Sequence, residues 1–230
     1  MEIRLSTSCE PLDRLLDGGF RFGKISLFYG ETATGKTTLA MSCVINHLRS
    51  DSQAKALYID TDGGLSTKRM EQIAGEGESL LERILIWRPN SFSEQTAIIE
   101  DLQPLVYRRA TIIVVDSITG LYRLEAGDAE KTFKVNKELN RQLGFLSETA
   151  ETSVAAVLLT GQVHGTIGDT AQVEPVAQRL LRYWSDIVVK LETTPKPGVR
   201  QAVLEKREGP PRSCIFRLTN AGISAVDGMW

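Results

Sequence analysis

Short apolar runs alternate with amphipathic stretches along the first two-thirds of the chain, a rhythm that predicts alternating strands and helices. Ile25–Tyr29 is a β-rich run that stops at Gly30, and Lys36–Leu48 follows with helical spacing. Ala56–Asp60 reads as the next strand and Ser66–Ala74 as the next helix. Ile84–Trp87 is a third strand, and Phe92–Tyr107 a helix. Thr111–Asp116 holds four consecutive Ile/Val residues, the pattern of a strand buried on both faces. Glu130–Glu151 reads as one long helix with Phe133, Leu139, Leu143 and Leu146 as its apolar stripe, and Val154–Thr160 as another buried strand. Strands separated by helices imply parallel pairing through right-handed crossovers. Ligands of such sheets bind at the carboxyl edge, and here the apolar runs end in Gly, Asp or Thr.

The pattern changes after Gln162. Residues 163–175 are rich in Gly, Thr and Asp and predict a mobile loop. Ile187–Leu191, Gln201–Lys206, Cys214–Leu218 and Ile223–Val226 read as short strands, with a turn at Glu208-Gly209-Pro210-Pro211. They predict an antiparallel extension of the sheet. No internal repeat or low-complexity segment is present.

A chain of 230 residues, 42% hydrophobic, buries one sizeable core, and a single domain over residues 1–230 is expected. The net charge of −2 gives no bulk attraction to nucleic acid or anionic lipid, so any such binding must come from a local basic patch. Cys9, Cys43 and Cys214 are far apart in the sequence and odd in number, which argues against a disulfide framework or a zinc site. The first residues lack the apolar core of a signal peptide, and no run reaches the roughly 18 apolar residues of a membrane span. A cytoplasmic location is expected.

The segment Gly30-Glu31-Thr32-Ala33-Thr34-Gly35-Lys36-Thr37-Thr38 contains G-x-x-x-x-G-K-[ST]. Its glycines let backbone wrap closely around phosphates, and its N–H groups and the following helix start supply partial positive charge. Lys36 reaches the β- and γ-phosphates in such a P-loop, and the Thr37 hydroxyl ligates magnesium. Chance alone gives this pattern in roughly one chain in a hundred, and the strand before it and helix after it reduce that further. Asp116, at the end of the buried run Ile112–Val115, is the natural partner, a carboxylate able to hold the magnesium water shell. A buried strand ending in Asp is by itself a common turn. ATP and Mg²⁺ are thus the expected ligands.

Three further segments complete a set: Leu57-Tyr58-Ile59-Asp60-Thr61-Asp62-Gly63-Gly64, Leu15-Leu16-Asp17-Gly18-Gly19-Phe20 and Leu159-Thr160-Gly161-Gln162-Val163. With the phosphate loop and Asp116-Ser117, they resemble the ATPase core of the RecA/RadA recombinase family, from about Ser6 to Ile223. The chain is most similar to the short archaeal paralogues of that family. The resemblance implies an α/β fold of the RecA-like P-loop ATPase type. Its central sheet is mostly parallel, with helices on both faces and a C-terminal antiparallel extension. It also implies a truncation, with no preceding helical DNA-binding domain or polymerisation segment.

The resemblance assigns roles residue by residue. Family members carry Asp-Thr-Glu where this chain has Asp60-Thr61-Asp62, so Asp62 takes the place of the water-activating base, one methylene shorter. Slow hydrolysis with binding retained is the expectation. Glu31 is a rival base that ranks below it. Gln162 matches the residue that senses the γ-phosphate and relays it to the DNA-binding loop, and Arg69 the residue that packs on adenine. Each has a plainer reading, Asp62 and Gln162 as polar strand ends and Arg69 as a solvated helix residue.

Candidates for contact with DNA are Arg123, His164, Arg179, Lys206 and Arg207. Lys131, Lys134, Lys137 and Arg141 fall on neighbouring turns of the long predicted helix, and read as a solvated face. From Lys196 to Arg217 six Lys/Arg oppose two Glu. Glu174-Pro175-Val176-Ala177-Gln178 lacks the Gly-Gly pair that follows Pro-Val in recombinases, and the loop expected between Gly120 and Glu130 is acidic. Both departures speak against a strand-exchange filament, and the implied truncation against a lone strand-exchange enzyme. The expected partners are single-stranded DNA without sequence preference, a RadA-type main recombinase and further copies of the chain. A non-hydrolysing, nucleotide-gated interaction module and a circadian-clock or helicase type of RecA-like ATPase are the alternatives.

Overall fold

The computed structural model describes residues 4–76, 78–106, 110–164, 174–206 and 212–226. A small antiparallel pair opens the fold, β1 (Arg4–Leu5) with β2 (Phe20–Arg21), on either side of helix α1 (Glu10–Leu15). The alternating part runs β3 (Ile25–Tyr29), α2 (Lys36–Ser50), β4 (Lys55–Asp60), α3 (Thr67–Ala74), a 3-10 turn (Glu78–Arg83) and β5 (Ile84–Trp87). It continues through α4 (Phe92–Glu100), α5 (Gln103–Val106), β6 (Ala110–Asp116), α6 (Gly120–Glu125), α7 (Ala129–Ser153) and β7 (Ala156–Gly161). The pair β8 (Val163–His164) and β9 (Glu174–Pro175) precedes α8 (Gln178–Trp184). Four strands follow, β10 (Ile187–Thr193), β11 (Val199–Lys206), β12 (Arg212–Thr219) and β13 (Gly222–Ser224).

Among the described residues, nine strands form the central sheet in the order β13-β12-β11-β10-β3-β7-β6-β4-β5. Neighbours from β10 to β5 are parallel, and those from β10 to β13 antiparallel, as expected from the two halves of the sequence. Side chains alternate between two cores, one on each face. Ile112 and Val114 of β6 join Leu39, Cys43 and Leu48 of α2 on one face. Ile113 and Val115 join Leu139, Leu143 and Leu146 of α7 on the other. Burial on both faces is why β6 reads as an unbroken apolar run.

Several expectations are corrected. The helix expected over 92–107 is broken after Glu100, because Pro104 in a continuous helix would clash with the Glu100 carbonyl and leave it without a donor; Tyr107 lies outside the described residues. Val154 is the left-handed cap of α7 (φ 54°), so the next strand begins at Ala156. Phe133 is 71% exposed. The buried stripe of α7 starts at Val135, two residues and about 200° around the helix from it. The strand expected at 223–226 stops at Ser224.

Gly120–Glu125, taken for loop, is helix α6, and Asp128 caps α7 by accepting from the Lys131 N–H at 2.9 Å. The loop expected over 163–175 begins and ends as paired strand, while 165–173 and the turn at 208–211 lie outside the described residues. The three cysteines, distant in sequence, converge on the core beneath α1 and α2, all with free thiols. Burial pushes Cys9 up to about 11 and Cys214 up to about 12. Among the described residues no helix is long and apolar enough to cross a membrane.

Candidate nucleotide site

β3, β7, β6 and β4 are parallel neighbours, so their carboxyl ends lie along one edge of the sheet. Gly30 follows β3, Gln162 follows β7, Asp116 ends β6, and Asp62 comes just after β4. Residues up to 132 positions apart in sequence thereby face one cleft. It has a volume of about 670 Å³ and is lined by Lys36, Thr37, Asp62, Asp116, Arg123 and Gln162, with Thr32 and Ala33 at its loop side. That volume suits a small-molecule ligand.

The loop is closed around a cation. Lys36 Nζ donates to the carbonyl oxygens of Gly30 at 2.9 Å and Glu31 at 2.7 Å, and the Thr34 hydroxyl donates to that of Glu31 at 2.8 Å. Gly35 precedes α2 with φ 99°, a conformation that L side chains resist. Burial lowers the Lys36 pKa from its ordinary value, opposed by the charges of Asp116 and Asp62. The ammonium therefore gains from an anion placed in the loop mouth. Arg200 of β11, which the sequence did not single out, donates from Nε (3.2 Å) and Nη2 (3.0 Å) to the Ala33 carbonyl and steadies the loop tip.

Asp116 is 5% exposed and has both oxygens occupied. The Tyr58 hydroxyl donates to Oδ2 at 2.7 Å and the Thr160 hydroxyl to Oδ1 at 2.5 Å. Burial, then the neighbouring Asp116 charge, raises the Tyr58 pKa well above the ordinary phenol value, so it stays a donor. Among the described residues no three His, Cys, Asp or Glu side chains cluster as a metal centre. The hydroxyl of Thr37 and the carboxylate of Asp116 are the oxygen set that suits a magnesium ion shared with phosphates, so the residues fit the expected group. Tyr58→Phe is expected to destabilise the fold by about 1–2 kcal/mol, since Asp116 Oδ2 loses a buried donor. Thermal unfolding reads this directly, and the magnesium dependence of nucleotide binding should weaken with it.

Asp62 Oδ2 accepts from the Ser117 hydroxyl at 3.0 Å and from Gln162 Nε2 at 2.8 Å. The Arg123 guanidinium donates to Gln162 Oε1 at 2.5 Å, and the Gln162 N–H donates to the Thr119 hydroxyl at 3.2 Å. A guanidinium only donates, so the amide must turn its oxygen to Arg123 and its NH₂ to Asp62. The turn carrying Asp62 is held from behind. Asp60 accepts from the N–H groups of Gly64 (3.1 Å) and Leu65 (3.2 Å) and pairs with Arg88 at 3.2 Å, while Arg88 Nη2 reaches the Leu65 carbonyl at 3.0 Å.

Gly120 backs the carboxylate so closely that a Cβ there would lie 2.1 Å from Asp62 Oδ1. Gly120→Ala must displace Asp62 and break its hydrogen bonds from Ser117 and Gln162, so the fold is expected to lose about 1–2 kcal/mol of stability. Thermal unfolding should show that loss.

Other candidates sit apart. Glu31 is exposed and does not line the cleft. Arg69 donates to the carbonyls of Thr219 (2.6 Å) and Asn220 (2.8 Å), tying α3 to the β12–β13 turn. Leu218 of β12, next to that turn, packs on Gly35, so Arg69 flanks the start of α2. Within α2 the Thr38 carbonyl accepts from the Ser42 hydroxyl. Of the DNA candidates, Arg123 faces the cleft and Arg179 is exposed on α8. The Lys206 ammonium instead closes the carboxyl end of α8, donating to Arg182 and, at 2.5 Å, to the Ser185 carbonyl. The His164 side chain and Arg207 lie outside the described residues.

Comparison with known proteins agrees with this geometry. The Rad51 family profile matches residues 1–226. The DNA repair and recombination protein RadB of Methanocaldococcus jannaschii is 39% identical over 219 residues, 94% of this chain and 100% of that protein. RadB of Thermococcus kodakarensis is 37% identical over 229 residues, 97% of this chain and 100% of that protein. The crystal structure of the RadB recombinase superposes with a TM-score of 0.82 at 36% identity, covering 97% of this chain and 100% of that one. The chain therefore has the RecA-like fold and belongs to the Rad51 family.

Proposed function

We propose that this protein binds ATP with magnesium, hydrolyses it slowly, and acts in DNA recombination and repair as a DNA-binding paralogue that modulates a RadA-type recombinase. The observation that carries the reading is the convergence of Lys36, Thr37, Asp116, Asp62 and Gln162 on one cleft at the carboxyl edge of the sheet. Its relatives are DNA repair and recombination proteins by name, and Rad51-family members in general bind ATP with magnesium.

In this reading Gly30, Glu31, Thr32, Ala33, Thr34 and Gly35 wrap the phosphates, with Lys36 as their counter-charge and Thr37 and Thr38 at the first turn of α2. Thr37 and Asp116 would hold the magnesium, which would supply positive charge to neutralise the phosphates. Arg69 borders the adenine side. Asp62 accepts a proton from the attacking water or orients it, and Gln162 presents its NH₂ between Asp62 and the γ-phosphate. Because Arg123 holds the other end of that amide, a change at the γ-phosphate reaches the segment that follows Gln162.

A second reading is favoured by Asp62 Oδ2, which already accepts two hydrogen bonds. If that carboxylate is fully occupied, ATP is a structural ligand that gates a protein contact. Phosphate release with and without single-stranded DNA, measured beside the mass in solution, separates the two. Slow, DNA-stimulated turnover supports the first. Tight ATP binding with no turnover supports the second.

A further inference from the structure

We infer that the seam between α7 and α8 is a stacking track for single-stranded nucleic acid, with Phe133, Trp184 and Tyr183 offering ring faces to bases and Lys137 and Arg179 holding phosphates. This rests on the DNA-binding part of the function proposed above and gives it a surface outside the loop after Gln162.

Phe133 is 71% exposed and Tyr183 76% exposed, unusual for large rings in a fold with two well-filled cores. Along α7, Phe133, Lys137, Asn140 and Gly144 share one face by their spacing of four, three and four. Trp184, at the end of α8, lies on that face. Its Nε1 donates to Asn140 Oδ1 at 2.9 Å, and its six-membered ring passes over Gly144, 3.6 Å from where a Cβ would be. The Tyr183 ring stands edge-on to it at a centroid distance of 5.3 Å. Arg179 precedes Tyr183 by one turn of α8 and is exposed. Phe133 and Asn140 are about 10 Å apart along the α7 axis, roughly three steps of stacked bases.

The charges single out the same seam. Lys134 pairs with Glu130, Arg141 with Glu138 and Glu100, and Arg182 with Glu205. Lys137 and Arg179 are exposed and form no ion pair among the described residues. Helix α8 contains no acidic residue, and on this face of α7 the carboxylates Glu130 and Glu148 lie only at its two ends, Glu130 paired with Lys134. Exposed rings beside cations that form no ion pair among the described residues make a polyanion surface with stacking faces.

The test is fluorescence anisotropy with a labelled oligo-dT strand and with a duplex of equal length, on wild type and on Phe133→Ala and Tyr183→Ala. Both side chains are exposed, so thermal unfolding should be unchanged. Each variant is expected to lose about five- to a hundredfold in affinity for the single strand, with little change for the duplex. Phe133→Trp should restore binding, because an indole keeps the stacking face. Lys137→Ala should reduce the salt slope by about 0.7, one phosphate contact on a single strand. Wild-type binding retained in full by both alanine variants overturns the track and leaves the proposed function standing. A wild type that binds neither DNA overturns both. Variants that alter the mass in solution but not DNA affinity identify the seam as a protein contact and overturn the track.

Discussion

Lys36→Ala is expected to lower affinity for ATP about a hundredfold while leaving the fold intact. The ammonium is the one cation that the phosphate loop encloses, held 2.9 and 2.7 Å from the Gly30 and Glu31 carbonyls. In the proposed complex it exchanges these neutral acceptors for phosphate oxygens, and charge-assisted hydrogen bonds contribute about 1.5–3 kcal/mol each. About 2.7 kcal/mol is a hundredfold in affinity. The loss of stability should be small, because water reaches both carbonyls once the side chain is gone. Titration with a fluorescent ATP analogue checks the first statement and thermal unfolding the second. Unchanged affinity would remove the basis of the nucleotide assignment.

The same residue gives a pH dependence with a definite sign. Burial lowers the Lys36 pKa in the folded protein, so between that value and its ordinary 10.5 the unfolded chain binds more protons. Stability contributed by this group therefore rises with pH across that window, as the cost of a desolvated charge is relieved. ATP binding needs the charged form. Affinity should fall on the alkaline side before an ordinary lysine would titrate, and Lys36→Ala should lose that dependence.

The sequence exposed what chemistry fixes locally and hid what packing decides. The phosphate loop was legible because backbone curvature, a cation and a hydroxyl must occur at set spacings. β3 and β5 were legible to the residue, because an apolar run between polar ends has one pattern. Phe133 was misread because its six-residue spacing to Leu139 falls well short of two helical turns, so Val135 and Leu139 lie on a different face. Pro104 marked a break that the surrounding apolar residues masked. The hydrogen-bonded series Ser117, Asp62, Gln162 and Arg123 links three strand ends and a helix, and no local spacing announces it. Arg88 and Arg200 were missed for the same reason, since their partners lie 28 and 167 positions away. Asp62 and Gln162 were singled out only through their order relative to a known family, whereas Asp116 followed from a buried strand ending after a phosphate loop. That order reflects which strands end beside the loop.

Asp62 carries the other large effect. Asp62→Asn should reduce ATP turnover on the order of a hundredfold or more, the usual contribution of a general base, while ATP affinity stays close to that of wild type. Asparagine keeps the size and an acceptor for Ser117 and Gln162, so the fold around it should hold. Asp62→Glu should act in the opposite direction. The carboxylate rests against Gly120, with no room behind it for even a Cβ, so the added methylene must advance into the cleft. That is the direction of the phosphate loop, whose Lys36 shares the cleft with Asp62. If the short side chain is what slows hydrolysis, glutamate should raise the rate roughly tenfold or more, given that about 1 Å of misplacement costs on the order of a hundredfold. The two substitutions together discriminate between causes. A rate unaltered by both would show that Asp62 takes no part in water activation, and the site would then be one that binds nucleotide for its shape alone.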